Sequence, residues 1–425
     1  MSVNIAVVGT GYVGLTTGTC LAHLGNDVTC IDVDESKVER LRRADVPIHE
    51  PGLPELVAEG ISRDALRFTS DVVGGVAGRE VVLLAVPTPM SDDGSADLSY
   101  LTTAVNSIRE HLEPGAILVN KSTAPVGVVR FIEGLVARDD VSVVSNPEFL
   151  REGSAVADFL NPERVVIGSD DQEAANRIAF LHHRLAAPVV LTDPESAELS
   201  KYAANTFLAM KLSFVNEMAA VADAVGADID DVLLSLGLDH RVGSAFMSPG
   251  PGWGGSCLPK DTSALLSVAG RAGHDTAFLE AIIDANQRQY ERVTATIVEA
   301  AGGPGGQVAA LGLTFKAGTN DLRDSPALEV IRRLVAAGLT VRATDPMVAA
   351  GAEIVPDVDV AADPYEAAKG ADVVVVLTEW PEFAELDLGL LGEAMSQRRI
   401  VDTRNLLAPT SVTAAGFTYR GVGRR

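Results

Sequence analysis

One cysteine stands apart in this chain. In GPGWGGSCLPKDTSAL, residues 250–265, Cys257 lies among Gly250, Gly252, Gly254 and Gly255 and just before Pro259. Structural cysteines usually sit in apolar runs, whereas this loop is built for close backbone approach. Proline suits the first turn of a helix, so Cys257 is expected near a helix N-terminus with Lys260 close by. Both features favour the thiolate. A thiolate there is a nucleophile able to hold a carbonyl carbon covalently. The plain alternative is an inert loop thiol. Cys20 and Cys30 lie among apolar residues and read as core packing.

A second constellation opens the chain. In NIAVVGTGYVG, an apolar run leads into Gly9, Gly11 and Gly14, and Asp32 follows 23 residues after Gly9. Strand, glycine turn, helix and a later acid together form a dinucleotide fingerprint. The first glycine permits the tight turn, and the second lets backbone approach a pyrophosphate seated on the helix N-terminus. Asp32 would accept hydrogen bonds from the adenosine ribose and repel a 2′-phosphate. Its plain alternative is a turn cap. Other polar residues end apolar runs: Thr88, then Lys121-Ser122-Thr123, then Asn146-Pro147-Glu148. Lys201 and Asn205 are spaced to share one helix face. On a bare helix Lys201 reads as a solvated charge.

The elements that must hold these residues are legible. Strand-like runs at 5–8, 27–32, 81–89, 116–123, 141–149, 164–168 and 188–192, with helical patterns between several of them, predict a mostly parallel α/β sheet. Ligands bind at the carboxyl edge of such sheets. Asp193 and Pro194 then start a helical pattern that Gly226 stops. At about 48 Å it is too long for one domain face and reads as a spine. Its apolar positions Leu208, Leu212, Val215 and Val221 exceed what one domain needs to bury, which predicts a homodimer or a multiple of one. Residues 227–300 continue helical apart from the cysteine loop. After the linker AGGPGGQ (301–307), strands and helices resume as a second doubly wound domain without a glycine fingerprint. The expected fold is α/β: two Rossmann-like doubly wound domains joined by a long central helix. The expected domains are 1–193, 194–301 and 302–425.

Composition narrows the partners. The 425 residues carry a formal net charge of -24, which argues against nucleic acid. Three cysteines form no disulfide framework and favour a reducing cytoplasm. No uncharged run reaches the ~18 residues that span a membrane. The first eight residues hold no Lys or Arg, unlike a signal peptide. None of the seven histidines has a metal-binding spacing, so no metal is expected.

The fingerprint, NPEFLREGSA (146–155), ELSKYAANTFLAMKLSFVNE (198–217), GGSCLPKD (254–261), GLTFKAGTNDLRDSPA (312–327) and VLTEWPEF (376–383) occur in order. Together they resemble the UDP-glucose/GDP-mannose dehydrogenase family from residue 4 to about 407. The resemblance implies four-electron, NAD-dependent oxidation of a nucleotide sugar, with UDP-glucose to UDP-glucuronate favoured by LREGSAVADFLNPERVVIG. It implies Cys257, Lys201, Asp261, Asn205, Thr123 and Glu148 as catalytic residues. Lys201 would stabilise oxyanions, Asp261 would hold a water, and Glu148 would serve thioester hydrolysis. Cofactor contacts would come from Gly9, Gly11, Tyr12, Val13, Gly14, Asp32, Lys37, Thr88, Thr123, Glu152, Lys260 and Arg323. Substrate contacts would come from Glu148, Phe149, Leu150, Lys201, Asn205, Arg241, Gly254, Lys316 and Arg404, with Arg241 reaching in from a neighbouring subunit. Glu148 and Glu152 read alternatively as capping or ion-pairing residues. Trp253 reads either as a stacking partner for uracil or as packing. Other readings are another nucleotide sugar, such as GDP-mannose or a UDP-N-acetyl-hexosamine, a non-catalytic nucleotide-sugar binder, or a two-electron β-hydroxyacid dehydrogenase. The last would need neither Cys257 nor the second nucleotide-sized domain.

Overall fold

The computed structural model describes residues 2–91 and 93–424. The chain divides into two compact units. The first holds the residues up to Ala204 together with Ser263–Ala272; the second holds Asn205–Thr262 and the chain from Gly273 onward.

Among the described residues, the first unit carries an eight-stranded sheet in the order β3-β2-β1-β4-β5-β6-β7-β8. Its strands are β1 Asn4–Val8, β2 Asp27–Ile31, β3 Leu66–Thr69, β4 Val81–Leu84, β5 Ile117–Asn120, β6 Ser142–Ser145, β7 Val165–Gly168 and β8 Val189–Thr192. All pairs are parallel except β6 with β7, which meet antiparallel at Ser145 and Gly168. The inner strands are short and buried on both faces, as a parallel sheet covered by helices requires. The strand order reverses between β1 and β4, which creates the crevice where such sheets bind ligands. Cys20 and Cys30 are fully buried in this core, and burial pushes both thiols up to about 12.

The second unit repeats the plan with six strands in the order β11-β10-β9-β12-β13-β14. They are β9 Gln307–Leu311, β10 Thr340–Thr344, β11 Val358–Val360, β12 Val373–Val376, β13 Arg399–Asp402 and β14 Thr418–Gly421, all parallel. Its switch point lies between β9 and β12. The helix Ala277–Ala301 packs on this sheet through Tyr290, Val293, Ile297 and Ala301.

The expected spine is one helix, Pro194–Val225, of 32 residues. Asp193 caps it by accepting the Ser196 N–H at 2.7 Å, and Gly226 ends it with φ +73°. One expectation for this helix needs correction. Val215 is fully buried within its own unit and is not part of an outer face. The exposed large apolar residues are Leu199 (44 %), Phe207 (56 %), Phe214 (47 %), Val221 (45 %) and Val225 (72 %), of which Phe207, Phe214 and Val221 lie at heptad spacing. No helix among the described residues is long and apolar enough to cross a membrane.

Candidate active site

In the first unit, the fingerprint sits at the switch point. Gly9 has φ +98°, and a Cβ there would lie 2.5 Å from the Ala85 carbonyl oxygen at the end of β4. A Cβ on Gly11 would meet no protein atom within 4 Å, so the protein's own packing does not explain this glycine. Gly11 also starts the helix Tyr12–His23, which has no side-chain cap and no acid in its first turn. An open, uncapped helix N-terminus with a bare backbone suits a pyrophosphate. Asp32 follows β2. Its Oδ2 accepts from Thr10 N at 3.0 Å, Thr10 Oγ1 at 2.6 Å and Lys37 Nζ at 2.8 Å. Burial raises the Asp32 carboxyl, but these hydrogen bonds, Lys37's first, outweigh it and hold the group ionised. The residues fit a dinucleotide with a free ribose 2′-hydroxyl.

Glu148 lies beyond β6 and is buried. Its Oε1 accepts from Lys201 Nζ at 2.9 Å, and its Oε2 accepts from Leu150 N at 2.7 Å. Burial pushes the carboxyl up, while Lys201 and the Leu150 N–H pull harder, and the net shift is downward. Glu148 is therefore an ionised buried carboxylate. Its neighbour Phe149 stacks under the Arg164 guanidinium at 3.6 Å, with Lys201 Nζ 5.5 Å from the same ring. Thr88 Oγ1 donates to the Thr123 carbonyl at 2.6 Å, which ties the turns after β4 and β5 together. Lys201 and Asn205 lie four residues apart on the helix Pro194–Val225 and share a face.

In the second unit, the cysteine loop runs into the helix Leu258–Arg271, with Pro259 in its first turn as expected. The Cys257 carbonyl accepts the Asp261 N–H at 2.9 Å, so the thiol stands at the helix start. Ser256 Oγ is 3.7 Å from Cys257 Sγ. Asp261 is fully buried and is gripped twice, by Asn205 Nδ2 at 2.6 Å and by Lys260 Nζ. Lys260, expected beside the thiol, makes this carboxylate its partner.

The glycines before Cys257 interlock with the segment after β9. Gly255 N donates to the Asp324 carbonyl at 3.0 Å. Gly255 has φ +82°, and a Cβ there would lie 2.7 Å from the Phe315 ring. A Cβ on Gly254 would strike the Asp324 carbonyl and approach Pro326 to 2.9 Å. Behind the loop, Asn216 Oδ1 accepts Gly250 N at 2.8 Å and Gln289 Nε2 donates to Gly250 O at 2.7 Å. Trp253 packs rather than offering an open face. It is buried with Ala209 and Ile282, and its Nε1 donates to Ser213 Oγ at 2.8 Å.

Arg404 marks the switch point of the second sheet. Its guanidinium donates to the carbonyls of Leu377 at 2.8 Å and Phe315 at 3.3 Å, the segments that follow β12 and β9. It also pairs with Glu379 at 3.1 Å. Lys316 stands in the same segment as Phe315, with Nζ 5.4 Å from that ring. Cations are thus gathered where this sheet would receive a phosphate, despite the acidic surface. Arg323 and Arg241 are exposed and pair with their own neighbours Asp321 and Asp239. No cluster of metal-ligating residues is found among the described residues.

Family models cover nearly the whole chain. The NAD binding domain of the UDP-glucose/GDP-mannose dehydrogenase family matches residues 3–186, its central domain 195–288 and its UDP binding domain 309–409. The chain belongs to the UDP-glucose/GDP-mannose dehydrogenase family. It is an NAD-dependent oxidoreductase. It is 44 % identical to the UDP-glucose 6-dehydrogenase TuaD of Bacillus subtilis over 99 % of this chain and 93 % of that one. It is 43 % identical to a UDP-glucose 6-dehydrogenase of Rhizobium meliloti over 99 % of both. Among solved structures, a UDP-glucose dehydrogenase from Pyrobaculum islandicum superposes with TM-score 0.92 at 36 % identity, covering 100 % of this chain and 98 % of that one. A UDP-D-ManNAc dehydrogenase from Pyrococcus horikoshii follows at 0.88 and 29 %, covering 99 % of both chains.

Within this family frame, two supporting residues went unassigned in the sequence. Glu198, one turn before Lys201, is buried and accepts the N–H groups of Gly127 at 2.6 Å and Val129 at 2.9 Å. It caps the helix Val128–Val136, which follows Thr123. Glu50 joins Tyr12 and accepts the Gly153 N–H at 2.8 Å, so it anchors the turn beside Glu152. The sequence carries no local signal for either; each is an acid whose partner lies far along the chain.

Proposed function

We propose that the protein oxidises UDP-glucose to UDP-glucuronate, consuming two NAD⁺ and one water. The observation that carries this reading is Cys257 at a helix start, in a glycine loop locked to the segment after β9. A two-electron alcohol dehydrogenase has no use for such a thiol. Full-length likeness to two UDP-glucose 6-dehydrogenases supports the choice of sugar.

NAD⁺ supplies the acceptor for both hydrides. In the first oxidation, a water held by Asp261 takes the C6 hydroxyl proton while Lys201 stabilises the developing oxyanion. The Cys257 thiolate then adds to the aldehyde carbon, forming a C–S bond and a thiohemiacetal. An aldehyde has no carbinol from which to lose hydride; the thiohemiacetal does. Loss of the second hydride gives a thioester. Water adds to its carbonyl, Glu148 takes the water proton, and the C–S bond breaks to release the acid and the Cys257 sulfur. Glu148's ionised state suits a base. Thr123 positions water or substrate, Asn205 fixes Asp261, and Lys316 and Arg404 take the diphosphate. Phe149, Leu150 and Gly254 present backbone to the sugar. Tyr12, Val13, Lys37, Thr88, Glu152, Lys260 and Arg323 complete the cofactor contacts.

In this reading, residues 1–193 bind NAD, 194–301 form the dimerisation region with the cysteine loop, and 302–425 bind the UDP moiety. The protein is a cytoplasmic homodimer in which Arg241 serves the neighbouring subunit's substrate. Its product supplies polysaccharide biosynthesis. The test is a panel of nucleotide sugars with NAD⁺. NADH formation fastest with UDP-glucose supports the reading; faster turnover of GDP-mannose or UDP-N-acetyl-mannosamine would reassign the substrate.

A further inference from the structure

We infer that Lys121 is a positioning residue for Glu148: it grips Asn146, two residues before Glu148, and adds a positive charge beneath the turn that presents that carboxylate. The inference rests on the reading of Glu148 as part of the active site.

Lys121 follows β5 directly and is buried. Its Nζ donates to Asn146 Oδ1 at 3.1 Å and to Asn146 O at 3.3 Å. Asn146 is equally buried. Its N–H donates to Asn120 O at 3.0 Å, and its Nδ2 donates to Val166 O at 2.7 Å in β7. One lysine and one asparagine therefore lace the carboxyl ends of β5, β6 and β7 beneath the turn that presents Glu148.

The charge on Lys121 needs an explanation of its own. A buried ammonium bonded to two neutral oxygens is costly, and an apolar side chain of that length would hold the same core more cheaply. The charged and titratable groups that act on it are few. Glu148 attracts the ammonium and Lys201 repels it. His182, at the end of the helix Gln172–Leu181, is kept neutral by burial and by Lys121, its proton affinity lowered to about 3. Burial lowers Lys121 itself to about 8. Lys121 in turn helps hold Glu148 below the usual carboxylate range, after Lys201 and the Leu150 N–H. With both lysines charged, the cluster carries one net positive charge around an ionised Glu148. As the pH rises through about 8, Lys121 loses its charge in the native protein and its help fades.

The sign of the pH effect follows. Replacing Lys121 with methionine should cost most at low pH, where the native ammonium is charged and Glu148 is nearest to taking a proton. The ratio of wild-type to Lys121→Met kcat with UDP-glucose should grow as the pH falls along the acid limb of the profile, towards about tenfold where Glu148 is mostly protonated in both proteins. It should fall to within about threefold at pH 8.5. NAD⁺ affinity, set at the separate fingerprint, should stay within about twofold, which also reports folding. Lys121→Gln keeps a donor for Asn146 without the charge and should reproduce the pH-dependent ratio. Lys121→Arg should restore the wild-type acid limb. A ratio that is constant across pH, or near one throughout, overturns the inference. Glu148→Gln is the control. If it turns over like wild type, the reading of Glu148 fails; if it is crippled while Lys121→Met is not, only the role of Lys121 fails.

Discussion

At the residue scale, each unit holds its candidate carboxylates with fixed partners. Asp32 is held by Thr10 and Lys37, Glu148 by Lys201, and Asp261 by Asn205 and Lys260. Each partner decides what its carboxylate can do. Asp32 presents negative charge to the ribose pocket, so NAD⁺ should be preferred over NADP⁺ by on the order of 100-fold in kcat/KM, because like charges brought together cost several kcal/mol. In Asp32→Ala, Lys37 loses its partner and becomes available to a 2′-phosphate. That preference should narrow at least about tenfold. Comparable kcat/KM for the two cofactors in wild type would remove Asp32 from this role. The glycine fingerprint and Cys257 were legible in the sequence because their spacing is local. Lys121 was legible only as a polar strand end, and Glu198 and Glu50 were not legible, since each finds its partner far along the chain. Trp253 could be read two ways until Ser213, Asn286 and Tyr290 were seen to hold it from helices on either side.

At the element scale, the sequence revealed the strands buried on both faces and missed three of the four sheet edges. Central strands such as β1, β4 and β12 are unbroken apolar runs because helices cover them. The strands that went unnoticed, β3, β11 and β14, are all sheet edges. An edge strand pairs on one side only and needs no continuous apolar run, and LRFT and TYRG do not have one. The helix Pro194–Val225 was legible to its ends because cap, proline and glycine all mark it. Its outward face was misread, because helical periodicity identifies a stripe without saying which stripe the unit itself buries. The exposed Phe207, Phe214 and Val221 form the stripe that a second copy would cover. Phe214→Glu should weaken self-association on the order of 100-fold, as a centrally placed aromatic usually does. Sedimentation that finds wild type an active monomer at micromolar concentration would contradict the dimer and free Arg241 from its cross-subunit role.

At the scale of the whole molecule, an acidic protein with a formal net charge of -24 handles an anionic nucleotide sugar by gathering cations locally. One sheet carries the dinucleotide fingerprint at its switch point, and the other carries Arg404 and Lys316 at its own. Between them in sequence lies Cys257, which under the proposed function turns a two-electron fold into a four-electron one. Counting NADH against limiting UDP-glucose, in wild type and in Cys257 variants, tests this most directly. Wild type should yield two NADH per sugar with no free aldehyde. Cys257→Ser should stall as a covalent ester visible by intact-protein mass, since an ester hydrolyses more slowly than a thioester. Cys257→Ala should lose acid formation on the order of 1000-fold while still binding both ligands. One NADH per sugar in wild type, or acid formation by Cys257→Ala near the wild-type rate, would show that the thiol takes no part in the chemistry.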